Sequence, residues 1–429
     1  MIAEILVTGR EILTGAVMDS NSAHIARALE TVGLQVVRHS CVGDDLDRLV
    51  AVIKEIGNRA QICVVTGGLG PTSDDITAEA AAKAAGVELV LDQEALKAIE
   101  ALFKARQRFM SPSNQKQAML PKGSEHLDNP VGTAPGFYLN IGRCAFFFLP
   151  GVPLEMQRML GDVVMPRIEE LRGTDKTFTR VKDISTFGLT ESATGERLSG
   201  FAAEFPDIAL GFRALFPEIQ VKLYGRGKDE INLGQRMERA SEWVLKKLGR
   251  YVFSVDGNAM EAIVGRLLGQ RRATLAVAES CTGGLISHWL TNVPGSSKYF
   301  LFAGVAYSND AKIKILGVSS KTIERRGAIH EETVKEMAQG IRRIAGATYG
   351  LATSGIAGPE GGTAEKPVGT VCVGLAAEHF ARGYRFHFPF GDRLMKKKIF
   401  AIAALDVLRR ELQGEEAEEL ADNNSFSAA

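Results

Sequence analysis

The stretch ATLAVAESCTGG, residues 273–284, is an apolar run that ends in hydroxyl groups and glycines. A short apolar run followed by a glycine-rich turn and a helical pattern is typical of the strand–turn–helix units of α/β proteins. The helical pattern follows at once, from Leu285 onward. A hydroxyl on such a turn lies beside free backbone N–H groups, which could stabilise an oxyanion. Alternatively, Ser280 or Thr282 only caps the helix.

Two further apolar runs end in polar side chains. YFLFAGVAYS (299–308) is followed by a short helical pattern, predicted to be capped by Asn309 and Asp310, and YGLATSG (349–355) runs into a glycine-rich loop. In an open α/β sheet, ligands bind beyond the carboxyl ends of the strands. We therefore expect one cleft to contain Ser280, Tyr307, Lys312 and Ser354.

A serine with a lysine and a tyrosine, and no histidine or aspartate in the motif, indicates a nucleophile activated by lysine. Such a lysine must be partly desolvated, which lowers its pKa toward about 7–8. Lys312 leads into apolar residues and suits this role, although Lys314 on the same helix is an alternative. The arrangement therefore predicts a serine nucleophile with a lysine as its base.

Strands and helices alternate along most of the chain, which predicts an α/β fold with mostly parallel sheets. We predict a three-layer α/β domain at 1–172, a small α+β domain of order β-α-β-β-α-β at 173–255, an α/β domain at 256–413, and a disordered acidic tail at 414–429. The last long helix, from Leu394 to about Leu412, is expected to bury its apolar face.

Composition excludes several classes of protein. The chain has 429 residues, 45% hydrophobic and 24% charged, with 51 basic against 51 acidic side chains, so direct nucleic-acid binding is not expected. The dense basic run Lys396–Lys398 is interpreted as a solvated helix face. Five scattered cysteines indicate a reducing compartment, and no run approaches the length of a membrane span. We therefore expect a cytoplasmic protein.

A second constellation lies near the N-terminus. GGLGPTSDD (67–75) follows an apolar strand and leads into a helix, so its glycines could let the backbone approach a phosphate. Carboxylates repel phosphate unless a cation intervenes, and a divalent ion would resolve this conflict. Alternatively, Asp74 and Asp75 are helix caps. The predicted site residues here are Glu11, Asp44, Gly67, Gly68, Gly70, Asp74 and Asp75.

These motifs resemble one known family over almost the whole chain. The C-terminal motifs AESCTGG (278–284), VAYSNDAK (305–312) and SGIAGPEGGTAEKPVGTV (354–371) resemble the C-terminal domain of the CinA family. GREILTG (9–15), VGDD (42–45) and GGLGPTSDDIT (67–77) resemble its N-terminal domain, which is similar to the molybdopterin-binding domain of molybdenum-cofactor biosynthesis proteins. The resemblance also implies a KH-like form for the middle domain.

The resemblance implies that the C-terminal domain is a nicotinamide mononucleotide deamidase that needs no cofactor. Ser280 matches the family's nucleophile, with Lys312 and Tyr307 as its catalytic partners. The predicted substrate-binding residues are Thr282, Gly283, Gly284, Ser354 and Arg393, the last on the nucleotide phosphate. His330 stands where the family commonly has a serine, and is either a local cap or an additional titrating group.

For the N-terminal domain, the resemblance implies metal-dependent cleavage of ADP-ribose or binding of a pterin. Asp44 and Asp75 match the positions that relatives use, and the metal is expected to be cobalt or magnesium. A homodimer acting in pyridine-nucleotide recycling is implied. The alternatives are a protein that binds molybdopterin, or a competence-related interaction protein without pyrophosphatase activity.

Overall fold

The computed structural model describes residues 1–173 and 177–414. The predicted acidic tail therefore lies outside the described residues, apart from Gly414. The chain forms two compact units, one of residues 1–180 with 226–234, and one whose described residues are 181–225 and 235–414. The predicted domain boundaries stay predictions.

The first unit contains a six-stranded sheet and a two-stranded sheet. Its strands are β1 (Ile2–Thr8), β2 (Gln35–Val42), β3 (Ile62–Thr66), β4 (Leu89–Leu91), β5 (Met119–Pro121), β6 (Glu125–Leu127), β7 (Gly136–Ile141) and β8 (Cys144–Leu149). Its helices are α1 (Arg10–Leu13), α2 (Ser20–Thr31), α3 (Leu46–Arg59), α4 (Thr77–Ala85), α5 (Gln93–Ala105), α6 (Pro153–Met159) and α7 (Met165–Arg172).

The larger sheet has the strand order β2-β1-β3-β8-β7-β6. The pairs from β2 to β8 are parallel, and β7 and β6 continue the sheet as antiparallel strands. Strands β3 and β8 are buried throughout, because helices cover both faces of the sheet. The carboxyl ends of β1 and β3 therefore reach one edge together, where the Gly67 loop begins.

The middle segment follows the predicted β-α-β-β-α-β order. Its strands are β9 (Phe178–Thr186), β10 (Ile208–Leu215), β11 (Glu218–Gly227) and β12 (Val252–Ser254), in the sheet order β10-β11-β9-β12. Its helices are α8 (Glu191–Arg197), α9 (Phe201–Glu204) and α10 (Glu230–Leu248). The strands β10 and β11 form an antiparallel hairpin.

The C-terminal segment contains a five-stranded sheet of order β14-β13-β15-β16-β17. Its strands are β13 (Leu275–Glu279), β14 (Phe300–Val305), β15 (Tyr349–Gly355), β16 (Thr370–Ala376) and β17 (Ala381–His387). Its helices are α11 (Met260–Gln270), α12 (Leu285–Thr291), α13 (Asn309–Lys314), α14 (Ser320–Arg326), α15 (Glu331–Ala345) and α16 (Arg393–Gln413). Strands β14, β13 and β15 are parallel, whereas β16 and β17 are antiparallel. The predicted α/β fold is confirmed, although the two larger sheets each continue into antiparallel strands and are less parallel than predicted.

Helix α16 buries its predicted apolar face, including Ile399 and Val407. The basic run at its start is partly different from the prediction. Lys396 is buried and donates a hydrogen bond to the carbonyl of Gly391, so it does not belong to a solvated face. The aliphatic stem of a lysine can pack in a core when its ammonium group finds an acceptor nearby.

Side chains cap several of the helices, and the cap of α13 is not one of the predicted residues. Asp19 caps α2 by accepting from the Ser22 N–H, and Ser308 caps α13 by accepting from the Ala311 N–H. Asn309 and Asp310, the predicted caps, are instead the first two residues of α13. Several neighbouring residues are good caps there, and the one directly before the helix accepts the free N–H.

Among the described residues, no helix combines the length and the apolar composition of a membrane span. All five cysteines are free thiols.

Candidate active sites

The C-terminal cavity lies where three parallel strands end. Ser280 directly follows β13, and one residue separates Tyr307 from the end of β14. Ser354 is the next-to-last residue of β15. Because the carboxyl ends of parallel strands meet at one edge of a sheet, these side chains converge. Together with Lys312 they line a cavity of about 280 Å³.

Ser280 and Lys312 are in direct contact. The Lys312 Nζ lies 3.0 Å from the Ser280 Oγ. Both side chains are buried, with 1% of Lys312 and 7% of Ser280 exposed. The rival Lys314 is instead exposed and pairs with Asp310. Of the two lysines that the sequence offered as the base, the geometry therefore favours Lys312.

Two backbone carbonyls hold the Lys312 amine. Its Nζ donates to the Ala306 carbonyl at 2.9 Å and to the Tyr307 carbonyl at 3.2 Å. As an ammonium group it uses its three protons on these carbonyls and the serine oxygen. As a neutral amine it keeps both carbonyl bonds and directs its lone pair at the Ser280 hydroxyl. Burial lowers the pKa of Lys312, which favours the neutral form.

Tyr307 and Arg393 contact each other at the mouth of the cavity. An Arg393 Nη donates to the Tyr307 hydroxyl at 3.0 Å, and the other Nη donates to the Gly358 carbonyl. The tyrosine is 60% exposed and touches Lys312 through its carbonyl rather than its hydroxyl. Asp392 caps α16 by accepting from the Met395 N–H at 2.8 Å.

Three predicted substrate-binding residues do not line the cavity as the described residues form it. The Thr282 hydroxyl is buried and lies 2.9 Å from the Thr353 hydroxyl, on the inner side of the turn. The Gly283 N–H donates to the Ser280 carbonyl at 3.2 Å. Gly284 is the N-cap residue of α12 and has no side chain to cap it, and neither Ser280 nor Thr282 takes that position.

The residue that sequence reasoning missed is Glu279. Its side chain is fully buried, and the carboxylate accepts from the N–H groups of Gly284, Ile286 and Ser287 at 2.9, 3.2 and 2.9 Å. A signal was present, since a carboxylate at the end of a buried strand needs hydrogen-bond donors. The adjacent turn supplies them.

Cys281, the neighbour of the serine, lines the cavity but is 6% exposed. Burial raises the pKa of its thiol to about 12. A thiol is nucleophilic as the thiolate, so burial disfavours the reactive form of this cysteine.

His330 caps helix α15. Its Nδ1 accepts from the Glu332 N–H at 3.1 Å, which fits the local-cap interpretation. Burial lowers the pKa of the imidazole, and the ring is neutral when it accepts this hydrogen bond.

The N-terminal cavity has a volume of about 510 Å³ and lies at the carboxyl ends of β1 and β3. All seven residues predicted for this site line it, and so do further polar residues. The lining includes Glu11, Asp19, Asn21, Asp44, Gly67, Gly68, Gly70, Asp74, Asp75 and Glu155.

The glycine loop approaches its surroundings closely. Gly67 and Gly68 have φ values of +105° and +67°, and a Cβ at Gly67 would lie 2.4 Å from the Thr8 carbonyl oxygen. The Asp75 carboxylate accepts from the Thr72 N–H at 2.9 Å and from its hydroxyl at 2.5 Å. Asp75 therefore shapes the loop and does not cap α4, which begins at Thr77 without a side-chain cap.

The oxygen atoms that line this cavity could bind a hard divalent cation only if a bound ligand supplied further oxygen atoms. Among the described residues, no three His, Cys, Asp or Glu side chains lie together closely enough to hold a metal ion. The Oδ1 of Asn21 is buried without a hydrogen-bond partner and belongs to the same cavity as Asp44. Magnesium is often held by one or two carboxylates while phosphate oxygens complete its shell. The residues present fit that mode.

Comparison with known proteins agrees with this architecture. Residues 4–170 match the family described as probable molybdopterin binding domain, and residues 257–412 match the CinA C-terminal domain. A crystal structure of the protein CinA with unknown function from Thermoplasma acidophilum is 36% identical, covers 39% of this chain and 96% of its own, and has a TM-score of 0.36.

Two similar curated proteins cover nearly the whole chain. A CinA-like protein of Desulfosudis oleivorans is 54% identical over 412 residues, which are 96% of this chain and 100% of that protein. A CinA-like protein of Desulforapulum autotrophicum is 49% identical over 416 residues, 96% of this chain and 98% of its own length. The chain belongs to the CinA family.

Proposed function

We propose that the C-terminal site hydrolyses nicotinamide mononucleotide to nicotinate mononucleotide and ammonia. The observation that carries this proposal is the 3.0 Å contact between the Ser280 Oγ and a buried Lys312 amine. A serine hydroxyl needs a base within hydrogen-bond distance, and a desolvated lysine supplies one near neutral pH. The pairing supports acyl transfer, and the family resemblance supports this amide as the substrate.

In the first half-reaction, the Ser280 oxygen attacks the carboxamide carbon while Lys312 takes the hydroxyl proton. The tetrahedral intermediate collapses as its C–N bond breaks, and Lys312 passes the proton to the leaving nitrogen. Ammonia departs and leaves an ester on Ser280. Because Lys312 both removes the proton of Ser280 and delivers it to the leaving nitrogen, the two residues act as a unit.

In the second half-reaction, water attacks the ester carbon and Lys312 accepts a proton from it. The bond to the Ser280 oxygen breaks, the serine regains its proton, and the acid is released. No metal takes part in this scheme. Oxyanion stabilisation by the Thr282 N–H stays a prediction, since the Gly283 N–H donates within the turn.

Arg393 is the candidate for the substrate phosphate. It lines the cavity, and a guanidinium can bind phosphate with two parallel hydrogen bonds. Its contact with the Tyr307 hydroxyl gives that tyrosine a role in orienting the guanidinium. A relay of the serine proton through the Tyr307 hydroxyl remains a prediction.

The N-terminal cavity supports a second proposed activity, cleavage of ADP-ribose with cobalt or magnesium. Its carboxylates and the unpartnered Asn21 Oδ1 favour a ligand that brings phosphates with a cation. Such a cation would offset the negative charge of the pyrophosphate and polarise it. Asp44 and Asp75 are the proposed cation-binding residues.

Molybdopterin binding without catalysis, and a competence-related interaction, are the alternatives for this domain. Measuring ADP-ribose cleavage beside pterin binding, with each metal in turn, distinguishes them. For the C-terminal site, the test is incubation of the purified protein with nicotinamide mononucleotide. Equal amounts of ammonia and nicotinate mononucleotide support the proposal, and a folded protein that releases neither contradicts it. A homodimer in the cytoplasm remains part of the proposal.

A further inference from the structure

Glu279 makes an unusually complete set of hydrogen bonds for a buried carboxylate. One oxygen accepts from the N–H groups of Gly284 and Ile286, and the other accepts from the N–H of Ser287 at 2.9 Å and from its hydroxyl at 2.5 Å. The side chain is 0% exposed. Charge-assisted bonds of this kind offset the cost of taking a carboxylate out of water.

These bonds close the turn that carries the nucleophile. Glu279 is the last residue of β13, and the donors belong to the end of the turn and the first part of α12. Between them lie four residues, 280–283, beginning with the serine. Gly283 and Gly284 have φ values of +60° and +91°, a left-handed backbone conformation that favours glycine and allows so short a turn. The Glu279 side chain therefore fixes both ends of the turn.

The backbone of the same residue leads to the lysine. The Glu279 carbonyl accepts from the Ala306 N–H at 2.8 Å, and the Ala306 carbonyl accepts from the Lys312 Nζ at 2.9 Å. One residue, Ala306, thus connects the strand before the serine, through its N–H, with the amine that contacts the serine, through its carbonyl.

We propose that Glu279 is a positioning residue that sets the distance between the Ser280 Oγ and the Lys312 Nζ. It does not belong to the lining of the cavity as the described residues form it, so it acts through the turn and not on the substrate. This inference rests on the proposed role of the two residues. On this inference, the buried carboxylate affects kcat and has little effect on substrate binding.

Glu279→Gln tests the proposal directly. Glutamine has nearly the same shape as glutamate, but it replaces one acceptor oxygen with an NH₂ group. That NH₂ group would face N–H or O–H donors and could not accept their hydrogen bonds. A small displacement of reacting groups can cost about 10²-fold in rate. We therefore expect kcat to fall by about 10²-fold, with KM changed by about twofold or less.

Ser287→Ala is the milder variant, since it removes only the hydroxyl bond to Glu279. Thr291→Ala is its matched control, because the Thr291 hydroxyl lies on the same helix and donates only to the carbonyls of Ser287 and His288. We expect Ser287→Ala to lower kcat several-fold, and Thr291→Ala to leave it unchanged. Melting temperatures of the variants separate loss of folding from loss of positioning.

A substrate-independent measurement separates failure of this inference from failure of the proposed function. An alkyl fluorophosphonate phosphonylates an activated serine by displacing fluoride, whatever amide the enzyme hydrolyses. Its labelling rate at Ser280 should fall in Glu279→Gln and Ser287→Ala in the same proportion as kcat. Rates equal to those of wild type and Thr291→Ala in both variants would overturn the inference. If Glu279→Gln does not fold, Ser287→Ala against Thr291→Ala decides alone.

Discussion

The two cavities of this chain differ in how much of their chemistry the protein itself supplies. In the C-terminal cavity, the Ser280 Oγ and Lys312 Nζ already lie 3.0 Å apart, and two carbonyls fix the amine. In the N-terminal cavity, several carboxylates line the wall, but no three metal-binding side chains of the described chain come together. The first site has its two proposed reacting groups in contact, whereas we propose that a ligand completes the second.

The difference teaches how the two kinds of chemistry constrain a sequence. A nucleophile and its base must be held at hydrogen-bond distance by the fold, so burial and backbone acceptors are built around them. A site for phosphates and a cation can leave ligand positions open, because substrate oxygens fill them. The comparison predicts independent responses of the two sites to substitution, chelation and pH.

The largest effect is expected from removing the lysine. Lys312→Ala leaves the serine without a base, and kcat for deamidation should fall about 10⁴-fold or more, as it does when other nucleophile–base units are broken. Steady-state ammonia release measures this. The double variant Ser280→Ala/Lys312→Ala should lose little more than either single variant. Additive losses would show that the residues do not act as a unit.

Chelation should separate the two cavities. EDTA should abolish ADP-ribose cleavage, because that site is proposed to need cobalt or magnesium, and it should leave deamidation unchanged. Both reactions can be followed on one preparation, with added metal restoring the first. Loss of deamidation as well, in a protein that stays folded, would contradict the distinction between the sites.

The pH dependence should follow the lysine. Burial lowers the pKa of Lys312 from its usual 10.5, and only the neutral amine can take the serine proton. Below this lowered pKa, kcat/KM should rise about tenfold per pH unit and then level off. A plateau reached well below pH 10.5 is the expected profile. A rise that continues toward pH 12 would instead follow the Cys281 thiol.

A smaller effect is expected from the cavity mouth. Arg393→Ala should raise KM for nicotinamide mononucleotide about tenfold, the scale of one hydrogen bond to a charged group. KM for the riboside without phosphate should hardly change. Asp392 remains in place to cap α16 in this variant. Equal increases in KM for both substrates would show that Arg393 does not bind the substrate phosphate.

The main elements of the fold were predictable, because buried strands and amphipathic helices have distinct periodicities. Helix α16 lies within a residue of its predicted bounds at each end. Helix caps were less predictable, as at α13, where three polar residues compete and the chain uses Ser308. The burial of Lys396 also escaped the sequence, since its acceptor is a backbone carbonyl.

The site was predictable as a set of strand ends, but not in its details. The sequence pattern placed Ser280 at one strand end and Lys312 in the short helix that follows another, and the fold brings the two side chains together. Spacing could not say that Thr282 faces inward or that Glu279 occupies the donors of the turn, because neighbouring residues on a tight turn point in directions set by tertiary contacts.

The central claim is that Ser280, and not its neighbour, attacks the amide. The most direct measurement compares ammonia release from nicotinamide mononucleotide by wild type, Ser280→Ala and Cys281→Ala under identical conditions. We predict that Ser280→Ala is inactive by several orders of magnitude and that Cys281→Ala keeps most of the wild-type kcat. Retained activity in Ser280→Ala, together with its loss in Cys281→Ala, would contradict the account.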